Sequence, residues 1–503
     1  MVVVLLSEDE NENKGRQTVE PGEGKGREGK SKGKAEKKKI KSIHPVLSAC
    51  SIRAVMPSST TAQPLLPSHQ HADDTNQGEI ECTNTQTQPM STPSAVFLLS
   101  ATTFGAGVFM LPALFAKTGV FVGAALLIFF GLLSGLVMKL VLDAADEQQV
   151  EDMEALVRSV PGGRLLSRIS ATAIVIALVT GNAAHLFMCS GMLFDWLSWF
   201  ITDTIGHFEF NAVHKLAVLC LFVGVALPYT FLEELSALRH IGSAVCIVCI
   251  ISCTACVVSS VILIDQGHGA DGQNATPTSP DSFKDVALAV PTVCFIYTSL
   301  FPLFHVYGSM IRSFRGDKAA ARRRMNRAIV WATVIQVTSF SIMAVVTTLT
   351  FGKNSGAARV SQSSDGNVLY NFPMDNLAVT GSSLMLIVVI VLDYPIMLFP
   401  CVAQALKLRL FGTWRFARHA YAVLFTLVIL AIIMAVPDLP DVFGLAGSFG
   451  CSTYCLIVPG LVLVKSQRAV WGKFVGVATF VVGLGVLVVS GFFTLQSIVR
   501  KSG

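Results

Sequence analysis

Two short stretches of the chain combine polar groups with features that interrupt a helix. The first reads Ser100-Ala101-Thr102-Thr103-Phe104-Gly105-Ala106-Gly107 and continues to Leu111-Pro112. Glycines two apart weaken a helix and let a ligand approach the backbone closely. A helix broken at Gly105, Ala106 and Gly107 presents the positive N-terminus of its second half, which suits a carboxylate. Tight helix packing is the alternative use of these glycines. The second stretch runs from Pro291 to Tyr297-Thr298-Ser299-Leu300-Phe301-Pro302. Pro302 removes a backbone donor and disturbs the turn before it. Tyr297, Thr298 and Ser299 place hydroxyls where carbonyls would be freed, a setting that suits an ammonium group.

Three further polar residues sit inside apolar runs. Asn182 and His185 lie in the middle of one, and Asp393 lies in Ile390-Val391-Leu392-Asp393-Tyr394-Pro395. Such groups are expensive in lipid and face the protein interior. His185 reads first as a hydrogen-bonded core residue and only second as a proton carrier. A carboxylate at Asp393 must be paired, protonated or bound to a cation, and no Lys or Arg at helical spacing pairs with it. Lys139 and Asp143 are spaced for an i,i+4 pair at a membrane interface. Most of the twelve cysteines fall in apolar blocks as small hydrophobes. Cys246, Cys249, Cys253 and Cys256 repeat at helical spacing with no His or carboxylate neighbours, so they read as packing rather than a metal site.

The elements that must position these residues are membrane spans. Of 503 residues, 52% are hydrophobic and 14% charged, well below the charged share of soluble domains. The apolar residues form blocks of about 20 or more, the length that crosses a bilayer core. Eleven spans are predicted near 94–116, 119–141, 168–196, 213–231, 238–264, 285–310, 329–352, 376–400, 419–436, 440–464 and 474–497. Interruptions in the first and sixth are what an inverted five-plus-five repeat predicts. Lys and Arg crowd the loops after spans six, eight and ten, which makes those loops cytoplasmic. The Asn274-Ala275-Thr276 sequon then falls outside, as a glycosylation site must. Trp196, Trp199, Trp331, Trp414 and Trp471 fall near span ends.

Residues 1–91 have the polar, low-hydrophobicity composition of a disordered tail, cytoplasmic on this orientation. Its basic stretch Lys25 to Lys41 either contacts anionic lipid or is simply solvated, and translation from Met56 would remove it. Residues 92–503 form the transmembrane part. No HExxH, no P-loop and no nucleophile–base pair occurs in the sequence, which argues against an enzyme. Nothing calls for a cofactor or a nucleic acid.

These motifs resemble the amino acid/auxin permease family, in particular its protozoan branch. Gly105-Ala106-Gly107 through Leu111-Pro112 to Gly119 and Gly123 is similar to the family's first-span signature. Leu235-Ser236-Ala237-Leu238-Arg239 resembles its link between spans four and five. Asp393-Tyr394-Pro395 through Phe399-Pro400 resembles its eighth-span motif. Val436-Pro437-Asp438-Leu439, Gly444-Leu445-Ala446-Gly447-Ser448 and Pro459-Gly460 resemble its tenth span. The resemblance covers roughly residues 92–497. It implies an all-α LeuT-like fold with broken first and sixth helices, and alternating-access transport of amino acids. Substrate contacts are then expected at Thr102, Gly105, Ala106, Gly107, Asn182, Tyr297, Thr298 and Ser299. Sodium-coupled relatives tend to carry Asn where this chain has Ala101, and a hydroxyl where it has Asp393. The expectation is therefore proton-coupled or sodium-independent transport. Asp393 would carry the proton or, alternatively, fix a cationic substrate side chain. The plasma membrane is the expected location, with a vacuolar or lysosomal membrane as the alternative. An amino acid sensor signalling through its tail is the competing function.

Overall fold

A computed structural model describes residues 90–205, 223–224, 239–270, 275–314, 316–356, 366–408, 416–436 and 438–502. The N-terminal tail up to residue 89, all of the expected fourth span but residues 223–224, the turn before Arg239, Trp414 and Asn274 lie outside these. Among the described residues the chain is helical throughout, with no strand.

Eight helices are long and apolar enough to cross a membrane. The first and sixth expected spans instead form two pairs of short helices. The first pair is α1 (Thr92–Ala101) and α2 (Leu111–Thr118), joined through a tight turn at Ala106–Met110. Between the pairs lie α3 (Val120–Glu147), α4 (Gly163–Ile205) and α5 (Arg239–Asp265). The second pair is α6 (Phe283–Ile296) and α7 (Leu303–Ser313). Then follow α8 (Lys318–Phe351), α9 (Leu377–Leu408), α10 (Ala417–Ala435), α11 (Leu439–Ser466) and α12 (Val470–Lys501).

The starts of these helices are set by local chemistry. Ser91, followed by a proline in the first turn, caps α1 by accepting from the Ser94 amide at 3.3 Å. Asp317 caps α8 through the Ala320 amide at 3.0 Å, and Ser282 caps α6 through the Asp285 amide at 3.3 Å. Each satisfies an amide that the first helical turn leaves free. Between α2 and α3, Gly119 adopts φ +77°, and a Cβ there would lie 2.5 Å from the Ser279 amide nitrogen. Only glycine meets both demands.

Burial sorts the helices into a centre and a rim. In their most apolar windows, α4 is 83% buried and α11 78%, against 28% for α3 and 33% for α10. The rim presents Phe121, Phe129, Leu132, Leu427 and Val481 outward. An apolar belt of this kind is matched by lipid, not by water. The chain is thus an all-α polytopic membrane protein with broken first and sixth helices. Trp199 and Trp471 are exposed near helix ends, whereas Trp331 is exposed well inside α8.

One charged knot ties three elements at the end of the bundle where α8 begins. Arg322 of α8 pairs with both Asp143 and Asp146 of α3. Tyr307 of the half-helix α7 donates to the same Asp146 carboxylate at 2.9 and 3.1 Å. Asp143 therefore goes to Arg322 rather than to Lys139 as its spacing suggested. The Arg322 guanidinium, with its forked donors, reaches Asp143 and Asp146 at once.

Arg322 is 12% exposed while its partners are 41% and 31% exposed, so solvent screens part of the pairing. Arg322→Gln is expected to lower stability by about 1–2 kcal/mol, measured as thermal unfolding in detergent. The Asp146→Asn change should add less in the Arg322→Gln background than alone. Full additivity would show that the knot is not a unit.

Candidate functional site

The two interruptions lie face to face and bond to each other. In the first, Thr102 and Thr103 turn their hydroxyls back onto the carbonyls of Leu99 (3.3 Å) and Ser100 (2.7 Å). Threonine hydroxyls used this way compete with the helix ladder, and α1 ends at Ala101. The backbone is fully extended at Gly105. In the second, α6 ends at Ile296, and Pro302 opens α7. Between them, Thr298 Oγ1 crosses to donate to the Thr102 carbonyl at 3.0 Å. Ser299 Oγ donates to the Leu99 carbonyl at 3.1 Å.

Three long helices wall this junction. From α4, the His185 imidazole packs on the first break, with Nε2 2.8 Å from where a Cβ on Gly105 would stand. Its Nδ1 lies near the Gly181 carbonyl without a well-formed hydrogen bond. Gly107 similarly makes room for Ile296 of α6, 2.8 Å from its would-be Cβ, with Phe443 of α11 behind it. From α8, Gln336 donates to Ser299 Oγ at 3.1 Å, with Ser100 Oγ at 3.5 Å. From α5, Cys249 Sγ reaches the Phe104 carbonyl at 3.3 Å. Phe104 stacks edge-on against Phe340, and Phe295 against Phe443, with centroids 4.9 and 5.2 Å apart.

The residues singled out from the sequence fall into three groups. Thr102, Gly105, Ala106, Gly107, Thr298 and Ser299 all belong to the paired breaks, with the threonine and serine hydroxyls turned onto backbone carbonyls. Asn182 and Tyr297 are buried, 1% and 3% exposed, and among the described residues neither the Asn182 amide nor the Tyr297 hydroxyl has a hydrogen-bond partner. Asn182 shares α4 with His185, three residues away. Tyr297 points elsewhere, against Gly131 of α3. Asp393 is half-buried on α9, and among the described residues no hydrogen bond or ion pair reaches its carboxyl. It stands within Coulombic reach of the Cys249 thiol, which itself touches the first break.

Gln336 and Cys249 were not marked as site residues by sequence reasoning. Gln336 carried a usable signal, a lone amide in the apolar run Val334-Ile335-Gln336-Val337. That is the same signal that marked Asn182. Cys249 carried none, because a thiol inside an apolar helix usually packs.

Several known proteins resemble this chain. A sodium-coupled neutral amino acid transporter 7 of Xenopus laevis is 24% identical over 66% of this chain and 71% of its own length. The namesake from Danio rerio is 27% identical over 42% of this chain and 46% of its own length. A relative from Xenopus tropicalis is matched over 54% of its length. The chain thus spans about half the length of several curated relatives it matches. Among solved structures, a manganese transporter of Eremococcus coleocola aligns at 12% identity over 82% of this chain and 92% of that chain, with a TM-score of 0.48. The family model for transmembrane amino acid transporter proteins matches residues 88–498. The match takes in both broken helices and every long one, and the chain belongs to that family.

Proposed function

We propose that this protein carries amino acids across a membrane by alternating access between its two broken helices. The observation that carries this reading is the direct hydrogen bonding between breaks, Thr298 to Thr102 and Ser299 to Leu99. Unwound backbone deep in a bundle is tolerated only where it is buried in protein or lines a path for a solute. An amino acid offers a carboxylate and an ammonium group. The start of the second half of the first span, around Gly105 to Gly107, suits the carboxylate. The carbonyl groups around Thr298 and Ser299, with the Thr298 hydroxyl oxygen, suit the ammonium. Asn182, with an unpaired amide, is the polar group available to a substrate side chain.

Coupling falls to Asp393 in this reading. It is an ionisable group on a membrane-spanning helix, within Coulombic reach of the Cys249 thiol that touches the first break. As a carboxylate it takes up a proton or fixes a cationic substrate side chain. The relatives are sodium-coupled by name, so the ion is the point to measure. The sensor alternative rests on the N-terminal tail, which lies outside the described residues.

Uptake of a radiolabelled amino-acid panel into cells lacking their own permeases is the direct test. Saturable uptake that strengthens at acidic pH and persists without sodium is expected. Uptake absolutely dependent on sodium would overturn the coupling part, and no uptake by protein confirmed at the surface would overturn the transport part. Asp393→Asn should abolish pH-driven accumulation and keep exchange; retained pH-driven accumulation rules Asp393 out as proton carrier.

Gly105→Ala should cut uptake about tenfold or more, because the new methyl group meets the His185 ring. Shortening that ring in Gly105→Ala/His185→Ala should recover part of the loss. Equal uptake in all three proteins would mean that the first break tolerates a side chain.

A further inference from the structure

The relatives named above are sodium-coupled, and a hard cation is held by oxygens whose lone pairs face it. In this chain the oxygens of the first break face protein donors instead. The Leu99 carbonyl accepts from Ser299 and Thr102, and that of Ser100 from Thr103 and the Phe104 amide. The Thr102 carbonyl accepts from Thr298, that of Thr103 from the Gly105 amide, that of Phe104 from Cys249, and that of Gly105 from the Val108 amide. Of the carbonyls from Leu99 to Gly105, the one of Ala101 is the exception among the described residues.

The side-chain oxygens between the breaks are occupied in the same way. Ser299 has one hydroxyl proton, and it goes to Leu99. Its lone pairs therefore face Gln336, which must present its N–H2 group and not its carbonyl. The same N–H2 group stands 3.5 Å from Ser100 Oγ. Gln336, Ser299 and Ser100 are 1%, 0% and 2% exposed, so no water shares the load from bulk. A buried primary amide thus supplies, from α8, two donors directed at one oxygen from each break. That is the task a bound cation performs when it joins oxygens from two broken helices.

We infer that Gln336 is a positioning residue whose amide N–H2 joins the two breaks in place of a cation, and that the junction of α1, the Tyr297–Pro302 segment and α8 takes no sodium ion. The inference rests on the transport reading for its functional consequence, because the substrate-facing backbone is held in register by this amide. It does not touch Asp393, which lies on the α9 side of the first break.

The test uses the full chain in lipid nanodiscs for hydrogen exchange and in proteoliposomes for uptake. Gln336→Leu keeps most of the volume and removes both donors. Exchange should rise together in 98–106 and in 297–302, by about tenfold. The KM for substrate should rise about tenfold, with maximal rate changed less. Gln336→Glu keeps the shape but turns a carboxylate toward the same lone pairs. Protection of both segments in that variant should depend on sodium or on acid, whereas sodium in place of choline should leave the parent protein's protection there unchanged. Unaltered exchange in Gln336→Leu overturns the inference, as does sodium-dependent protection of these segments in the parent. Should Gln336→Leu fail to fold, the Glu variant decides alone: protection indifferent to both sodium and acid overturns it. If the parent moves no amino acid, the transport reading fails, while the exchange measurements still decide the role of Gln336.

Discussion

A helix interrupted inside a membrane frees backbone groups that lipid cannot satisfy. In this protein two of the carbonyls at the first break are met by hydroxyls of the second. Thr298 and Ser299 belong to the sixth span, yet their hydroxyls serve carbonyls of the first. The surrounding helices pack closely against the first break. Gly105 and Gly107 lack side chains because His185 and Ile296 occupy the space beside them. The length and burial of α4 follow from the same need, since it supplies the wall on which the first break rests.

The half-helices are also tied away from the breaks. The Met90 amide, just ahead of α1, donates to Ser313 Oγ at the end of α7, 2.6 Å away. With the contacts at Thr298 and Ser299, α1 and α7 are thus joined at both of their ends. A motion that separates them loses all of these bonds. A motion that carries them together keeps them and instead strains the knot of Arg322, Asp143, Asp146 and Tyr307, which holds α7 to α3 and α8. Hydrogen bonds and ion pairs thereby define which pieces can move as one body. The weakest seam is the half-exposed ionic one, where water offsets much of the loss.

Composition and local chemistry were enough to read the membrane class and the positions of both interruptions, because the responsible signals are local. Block length marks a span, and Gly105-Ala106-Gly107 or Pro302 marks a break. Partners were not legible. That Thr298 reaches Thr102 and that Asp143 reaches Arg322 depend on which helices are neighbours, and nothing within one span records that. Spacing even misled at Asp143, where an acceptable local partner, Lys139, lost to a better distant one. Gln336 was visible as a polar intruder in an apolar run, but its meaning comes only from Ser100 and Ser299 meeting it from two other segments.

The same constraint bears on how ion coupling varies between relatives. A pair of broken helices exposes a fixed set of oxygens, and something positive must face them. A cation from solution can do so, and then its binding drives the conformational cycle. Side-chain donors can also do so, and then the oxygens are satisfied whether or not an ion is bound. In this chain, 24–27% identical to the sodium-coupled relatives cited above, side-chain donors face the oxygens at the breaks. Gln336, Ser299, Thr298 and Cys249 are such residues here, since each spends an N–H, O–H or S–H on an oxygen at the breaks. In the proposed reading, driving force enters through a group that those donors leave unpaired. Asp393 of α9, whose carboxyl no hydrogen bond or ion pair reaches among the described residues, is the group proposed for that role.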